Sequence, residues 1–187
     1  MLSGGASRRM GRAKALLEWG GRTLVEAQLE ALEAAGCRDV RVVTGAHDAE
    51  IRGVVGAEQC IFNERWAEGR MTSVQAGIKR LSGASGWLFL PVDAAGVKPE
   101  TLRSVLEAAE REPGVAWRPC CGGRAGHALW IPSTLAGEVL ALGAEARLDE
   151  WAEGRAKRLE CGDEGLLRNA NTPEEWRKVA SGRQGGE

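Results

Sequence analysis

The chain has 187 residues, a formal net charge of −1 and 43% hydrophobic residues, a composition typical of one globular domain with a buried core. Charged residues are spread along the sequence without a basic block or an acidic tail, which argues against a nucleic-acid-binding or disordered protein. Five cysteines without a C-x-x-C pair indicate reduced thiols in a cytoplasmic protein, and no apolar run reaches the roughly 18 residues of a membrane span.

The N-terminal segment LSGGASRRMGRAKALL (2–17) combines glycines, hydroxyls, arginines and a lysine. Its glycines allow successive backbone N–H groups to converge on phosphate oxygens, and Arg9 and Lys14 supply positive charge. The spacing matches neither G-x-x-x-x-G-K-[ST] nor G-x-G-x-x-G. The segment therefore predicts a polyphosphate-binding loop of another kind.

Apolar periodicity and turn residues predict strands and helices that alternate along the chain. In chain order they are a residual strand at 1–2, a helix at 23–35, a strand at 40–44, a helix at 47–55, a strand at 59–62, a helix at 72–81, a strand at 87–91, a helix at 98–110, strands at 115–119 and 127–131, a helix at 135–142, a strand at 157–161 and a helix at 173–180.

This alternation predicts an α/β fold with a Rossmann-like, doubly wound, mostly parallel sheet. The glycine-rich stretch 120–126 predicts a small β-hairpin excursion between two strands. Thr172, Pro173 and Glu175 predict a capping box at the last helix. We expect a single domain over 1–180 and a frayed tail over 181–187.

Polar residues that directly follow apolar strands are candidates for a site, because ligands of parallel sheets bind at the carboxyl ends of the strands. Asp93 follows WLFLPV, and a carboxylate beside a triphosphate loop is a suitable ligand for Mg²⁺. Considered alone, Asp93 is more readily a turn or N-cap residue than a metal ligand, and Asn169 and Asn171 are common turn residues.

Five motifs, taken together and in order, resemble the MobA-like nucleotidyltransferase family, which includes the molybdenum cofactor guanylyl- and cytidylyltransferases. They are the N-terminal loop, NERWAEGRMTSVQAG (63–77), LPVD (90–93), GRAGHA (123–128) and NANTPEE (169–175). The resemblance implies a fold of the nucleotide-diphospho-sugar transferase type. It also implies a single nucleotidyltransferase domain that is a monomer or weak homo-oligomer.

The implied reaction is a Mg²⁺-dependent transfer of NMP from GTP or CTP to a small phosphorylated acceptor such as molybdopterin, with release of pyrophosphate. Neither a nucleic acid nor a membrane is an expected partner. By resemblance the catalytic residues are Arg9, Lys14 and Asp93, and the Mg²⁺ ligands are Asp93 and Asn171. The implied nucleotide-binding residues are Leu2, Ser3, Gly4, Gly5, Ser7, Arg9, Gly11, Lys14, Asn63, Met71 and Ser73. The implied acceptor-binding residues are Gly126, His127, Asn169 and Asn171.

The chain departs from the family pattern at two important positions. Only Met1 and Leu2 precede the loop where members have a longer apolar strand, which predicts a weak first strand beneath the loop. Asn171 stands where many members have a second metal-binding carboxylate. A nucleotide-binding protein with impaired catalysis therefore stays open as an alternative. A sugar- or alditol-phosphate nucleotidyltransferase is a second alternative, and the choice of nucleobase also stays open.

Overall fold

A computed structural model describes residues 1–181. The helices are α1 (Leu24–Ala35), α2 (Asp48–Val55), α3 (Arg70–Arg80), α4 (Pro99–Arg111), α5 (Ala136–Leu140), α6 (Leu148–Ala152) and α7 (Pro173–Ser181). The strands are β1 (Leu2–Ser3), β2 (Glu18–Trp19), β3 (Arg22–Thr23), β4 (Val42–Thr44), β5 (Cys60–Phe62), β6 (Gly86–Phe89), β7 (Trp117–Cys121), β8 (Arg124–Ala125), β9 (Leu129–Pro132) and β10 (Lys157–Glu160). Short 3-10 turns occupy Lys14–Leu16, Ser133–Leu135 and Glu164–Leu167.

The central sheet is mostly parallel. Strands β5, β4 and β1 pair in parallel in that order. A second run has the order β6, β9, β7 and β10, in which β9 is antiparallel to both neighbours and β10 is parallel to β7. A parallel bridge between Leu2 and Pro91 joins the two runs. The carboxyl ends of β1 and β6 therefore lie side by side. The predicted polyphosphate-binding segment, residues 2–17, and Asp93 lie at these ends, and we refer to this segment as the phosphate loop.

Helices cover both faces of this sheet. Leu90 belongs to an apolar cluster with Leu29 of α1 and Leu102 of α4. Its neighbour Phe89 belongs to another apolar cluster with Val74 of α3. Since successive side chains of a strand point to opposite faces, the two clusters form the two halves of a doubly wound core. The predicted fold class is confirmed.

Strand β1 is short but is hydrogen bonded on both sides. Met1 N donates to Arg41 O (2.7 Å), and Leu2 N donates to Leu90 O (2.9 Å). Both Met1 and Ser3 are buried. The sequence encodes little of this strand, yet it occupies the central position between β4 and β6.

Helix boundaries follow the capping signals. Helix α1 begins after Thr23, which forms a complete capping box with Glu26, and it ends at Gly36, whose φ is 104°. The box predicted at α7 is half formed. Glu175 N donates to the Thr172 hydroxyl (3.2 Å), but the Glu175 carboxylate accepts from Asn171 N (2.6 Å) instead of from Thr172 N.

The hairpin excursion is tighter than expected. Strand β7 pairs with β8, with Cys120 opposite Ala125, and meets β9 only at Trp117 opposite Trp130. The β2–β3 hairpin and α6 were not predicted, because each is shorter than a recognisable period. Of the predicted tail, Ser181 is the last residue of α7, and 182–187 lie outside the described residues. Within residues 1–181 no helix is long and apolar enough to cross a membrane.

Candidate functional site

A cleft of about 470 Å³ opens at the carboxyl ends of β1 and β6. This volume is within the roughly 300–1,000 Å³ range of small-molecule sites. Its lining includes most of the phosphate loop together with the segment that follows β6 and the start of α3. The lining residues are Leu2, Ser3, Gly4, Gly5, Ala6, Ser7, Arg8, Arg9, Lys14, Trp66, Ala67, Gly69, Arg70, Ser73, Pro91, Val92, Asp93 and Asn171.

Three residues from distant parts of the chain meet in this cleft. Lys14 Nζ donates to Asp93 Oδ2 (2.7 Å) and to Asn171 Oδ1 (2.8 Å). The side chains of Lys14 and Asp93 are 13% and 21% exposed, so the ion pair is partly shielded from water. The structure thus brings together the predicted lysine, the predicted carboxylate and the amide that follows in the C-terminal segment.

The phosphate loop contains a turn that starts at Ser7. Ser7 has a φ of 46°, in the left-handed region that residues other than glycine seldom adopt. Met10 N donates to Ser7 O (2.9 Å), and Lys14 N donates to Ser7 Oγ (3.3 Å). Gly11 also has a positive φ of 73° but does not line the cleft. Ser7 therefore shapes the loop, and contact of its side chain with a ligand stays a prediction.

The segment after β4 contacts the backbone of the phosphate loop. The sequence did not predict this contact. Ala46 N donates to Gly4 O (3.3 Å), and a His47 ring nitrogen contacts Ala6 O at 3.2 Å. A side chain at Gly45 would collide with Gly4 O and with Trp66, 2.6 Å from its Cβ. Gly45 is therefore required for the close approach of two backbone segments, a contact that the spacing of residues in the sequence does not reveal.

The residues predicted on the nucleotide side divide into two groups. Ser73 lines the cleft and accepts from Asn63 Nδ2 (3.0 Å), which also donates to the Thr72 hydroxyl (2.8 Å). Asn63 is buried and Met71 packs in the apolar cluster around Val74. Neither Asn63 nor Met71 lines the cleft, so their contact with a nucleotide stays a prediction.

The cleft carries more positive than negative charge. Arg8, Arg9 and Arg70 line it and make no ion pair with any residue of the described range 1–181. The carboxylate in the lining, Asp93, is already paired with Lys14. Arg70, at the start of α3, was not identified from the sequence because an arginine at a helix end has no periodic signature. The unpaired guanidinium groups favour an anion of high charge.

The predicted acceptor residues lie beside this cleft. His127 N donates to Leu166 O (3.3 Å), and Arg118 Nε donates to Gly126 O (2.9 Å). Burial lowers the pKa of the His127 imidazole, while the facing charge of Asp93 acts in the opposite direction. Asn169 accepts from Asn171 Nδ2 (3.2 Å). Of the predicted acceptor residues, Asn171 lines the cleft itself.

The donor set at Asp93 and Asn171 fits a magnesium ion. One carboxylate oxygen and one amide oxygen lie within hydrogen-bonding distance of the same cationic atom, Lys14 Nζ. Mg²⁺ prefers such oxygen ligands and completes its shell with phosphate oxygens and water. Among residues 1–181 no cluster of three or more His, Cys, Asp or Glu side chains could hold a metal. Phosphate oxygens and water would complete the shell.

A mostly parallel sheet whose strand ends present a glycine-rich loop, a lysine and a carboxylate defines a nucleotide-binding α/β domain of the nucleotidyltransferase class. A solved nucleotidyl transferase from Methanothermobacter thermautotroptrophicus has this fold, with a TM-score of 0.78 and 20% identity over 97% of this chain and 94% of that chain. The family model of the MobA-like NTP transferase domain matches residues 1–160. The chain belongs to this family, as its motifs predict.

Two curated relatives have different names. Molybdenum cofactor guanylyltransferase of Pseudomonas aeruginosa is 30% identical over 198 aligned residues, 93% of this chain and 89% of that protein. Nicotine blue oxidoreductase of Paenarthrobacter nicotinovorans is 33% identical over 109 residues, 57% of this chain and 53% of that protein. The match therefore spans about half the length of the second relative. Family membership gives the nucleotidyltransferase class but does not specify the nucleotide or the acceptor.

Proposed function

We propose that the protein is a Mg²⁺-dependent nucleotidyltransferase that transfers GMP from GTP to a phosphorylated acceptor of the molybdopterin type and releases pyrophosphate. The observation that carries this proposal is the excess of unpaired guanidinium groups around the Lys14–Asp93 pair. A triphosphate has the charge and the length to contact several of these groups together. The name of the Pseudomonas relative, which aligns over 93% of the chain, supports the guanylyl choice and the acceptor.

In the proposed reaction a phosphate oxygen of the acceptor attacks the α-phosphorus of GTP. The bond from that phosphorus to the bridging oxygen breaks, and pyrophosphate leaves with the bonding electrons. Backbone N–H groups of the loop and the Arg9 guanidinium would bind the triphosphate, and Lys14 Nζ would stabilise the charge that develops at the transferred phosphoryl group. Mg²⁺, held through Asp93 and Asn171, would supply further charge neutralisation.

The acceptor would enter from the side of His127. Because burial lowers its pKa, the imidazole is mainly neutral at pH 7 and can donate or accept one hydrogen bond without adding charge. Arg70 would then be the cationic contact on the α3 side. Since phosphoryl transfer depends mainly on positioning and charge neutralisation, no covalent protein intermediate is required.

The test measures pyrophosphate release from each of the four NTPs, with Mg²⁺ and molybdopterin. We expect release with GTP, and a loss of about tenfold or more in kcat/KM for Arg9→Ala. Arg12→Ala is the matched control, because Arg12 lies in the same loop but does not line the cleft. Equal effects of the two substitutions would contradict the assignment of Arg9. Release with CTP alone would show that the nucleotide substrate is CTP and not GTP. Release only with sugar or alditol phosphates would show that the acceptor belongs to that class and is not molybdopterin.

A redox reaction is the second candidate, favoured by the identity to nicotine blue oxidoreductase. A pyridine dinucleotide contains a pyrophosphate that the same loop could bind. Oxidation of NADH or NADPH in the presence of an electron-accepting dye, without pyrophosphate release from any NTP, would favour this reaction. Tight GTP binding without either reaction would identify a nucleotide-binding protein with impaired catalysis.

A further inference from the structure

Gln28 is a polar residue at a core position of α1. Leu24 and Leu32, one turn away on either side, are fully buried, and Gln28 itself is 4% exposed. The periodicity of this helix would place an apolar side chain here. A buried amide at such a position needs hydrogen-bond partners, since burial of unpaired polar groups is unfavourable.

The partners of Gln28 are the two carbonyl groups that flank Asp93. Its Nε2 donates to Val92 O (2.9 Å) and to Ala94 O (2.9 Å). The same turn is attached to β1, because Val92 N donates to Leu2 O (3.0 Å). The carbonyl groups of the residues before and after Asp93 are thus held from α1, and the amide of Val92 is held from β1.

The amide of Gln28 is only partly satisfied. Gln28 Oε1 is buried without a hydrogen-bond partner among the described residues. The amide therefore carries an unfavourable unpaired oxygen, while both of its donor hydrogens are used on the Asp93 turn. A glutamine satisfies both carbonyls from one neutral side chain, which neither an apolar residue nor a hydroxyl can do.

We infer that Gln28 is a positioning residue, which sets the direction of the Asp93 carboxylate towards the cleft by hydrogen bonding to the carbonyl groups of its two neighbours, Val92 and Ala94. The inference rests on the proposed function, in which Asp93 binds Mg²⁺. Removal of a group that orients a metal ligand without contacting the metal commonly lowers metal affinity by about 10–100-fold. Gln28 therefore contributes to metal affinity without contacting the ion.

Gln28→Met tests this inference, because methionine has a similar shape and lacks both donor hydrogens. The matched control is Gln75→Met. Gln75 is also buried, and its Nε2 donates to Val139 O (3.2 Å), Leu140 O (3.4 Å) and Leu142 O (2.9 Å), away from Asp93. Both substitutions remove a buried amide that serves several carbonyls, so a purely structural effect would be similar in the two variants.

Two affinities are measured. The first is the Mn²⁺ affinity in the presence of GTP, which electron paramagnetic resonance of the free ion monitors. The second is the GTP affinity without metal. For Gln28→Met we expect Mn²⁺ affinity to fall by about tenfold while metal-free GTP affinity changes less than about twofold. For Gln75→Met we expect neither to change. Wild-type Mn²⁺ affinity in Gln28→Met, or equal losses in both variants, would overturn the inference.

Two further results keep the outcomes distinct. If Gln28→Met does not unfold cooperatively, the same titration uses Gln28→Asn, which keeps the amide on a shorter side chain. We expect this variant to lose about threefold or more in Mn²⁺ affinity, and an unchanged Mn²⁺ affinity overturns the inference. The proposed function fails separately, if the wild-type protein binds Mn²⁺ and GTP but releases no pyrophosphate with any acceptor.

Discussion

Substitution of Lys14 by methionine tests the central contact of the cleft. The change removes the ammonium group that donates to Asp93 at 2.7 Å and to Asn171 at 2.8 Å, and it keeps most of the aliphatic side chain. A hydrogen bond to a charged group contributes about 1.5–3 kcal/mol when it is shielded. The side chains here are 13% and 21% exposed, which reduces the gain through solvent screening.

We therefore expect Lys14→Met to lower the free energy of unfolding by about 2 kcal/mol, or the Tm by about 4–8 °C for a chain of this length. Asp93→Asn isolates the ionic part, because the amide oxygen can still accept a hydrogen bond. A double-mutant cycle between the two positions should give a coupling free energy of about 1–2 kcal/mol. Lys79→Met is the control, since Lys79 is exposed and has no ion pair among the described residues.

Urea denaturation of the four cycle members and of the control measures these values. A coupling below about 0.3 kcal/mol would mean that the ion pair between Lys14 and Asp93 is not maintained in solution. The same variants separate stability from catalysis. Lys14→Met should lower kcat for pyrophosphate release by about 10²–10³-fold, a loss that its modest destabilisation cannot explain at 25 °C.

Four other predictions concern β1, the Met1 amino group, Gly45 and Glu160. A Val-Ile-Val segment inserted before Leu2 should extend β1 into the cavity of about 760 Å³ between β4 and β6 and raise the Tm; an unchanged Tm would contradict a weak first strand. Burial lowers the pKa of the Met1 amino group to about 5 from 8.0, so the free energy of unfolding should rise from pH 5 to pH 8, and the insertion should abolish this rise. Gly45→Ala should weaken GTP binding in calorimetry, whereas Gly53→Ala in α2, where a Cβ meets no atom within 4 Å, should leave it unchanged. Backbone N–H groups of the β7–β8 turn donate to the Glu160 carboxylate and lower its pKa. Protection of these amides from hydrogen exchange should therefore be lost as the pH falls below the ordinary range of a glutamate, because the carboxylate then becomes protonated. Glu160→Gln should show no such transition.

The sequence predicts the fold well where local signals and packing agree. Helix α1 has a capping residue at Thr23, a stop at Gly36 and an apolar face between them, and the structure uses all three. The strand before Asp93 is recognisable because a central strand of a parallel sheet is apolar on both faces. Elements of two to five residues, such as β2, β3 and α6, contain too few residues to show a period.

The site is predicted less completely, because several of its contacts join segments that are far apart in the chain. The loop motif points to Arg9 and Lys14, but Arg70 enters the cleft only through the position of α3. Gln28 is separated from Asp93 by 65 positions and looks like one polar residue on an apolar helix face. Contacts of this kind depend on the tertiary structure, and no local pattern encodes them.

Asn171 shows how one of these long-range contacts sets the charge of the site. Its Oδ1 accepts from Lys14 Nζ, and its Nδ2 donates to Asn169 Oδ1 at 3.2 Å. An aspartate could accept from the lysine but could not donate to Asn169 Oδ1, so the contact with Asn169 is the one that favours the amide. With a neutral residue here, Lys14 and Asp93 cancel, and the charges of Arg8, Arg9 and Arg70 are left for the ligand. The loss of a family carboxylate therefore does not by itself indicate lost catalysis, since it also preserves the positive charge with which the cleft would attract a triphosphate.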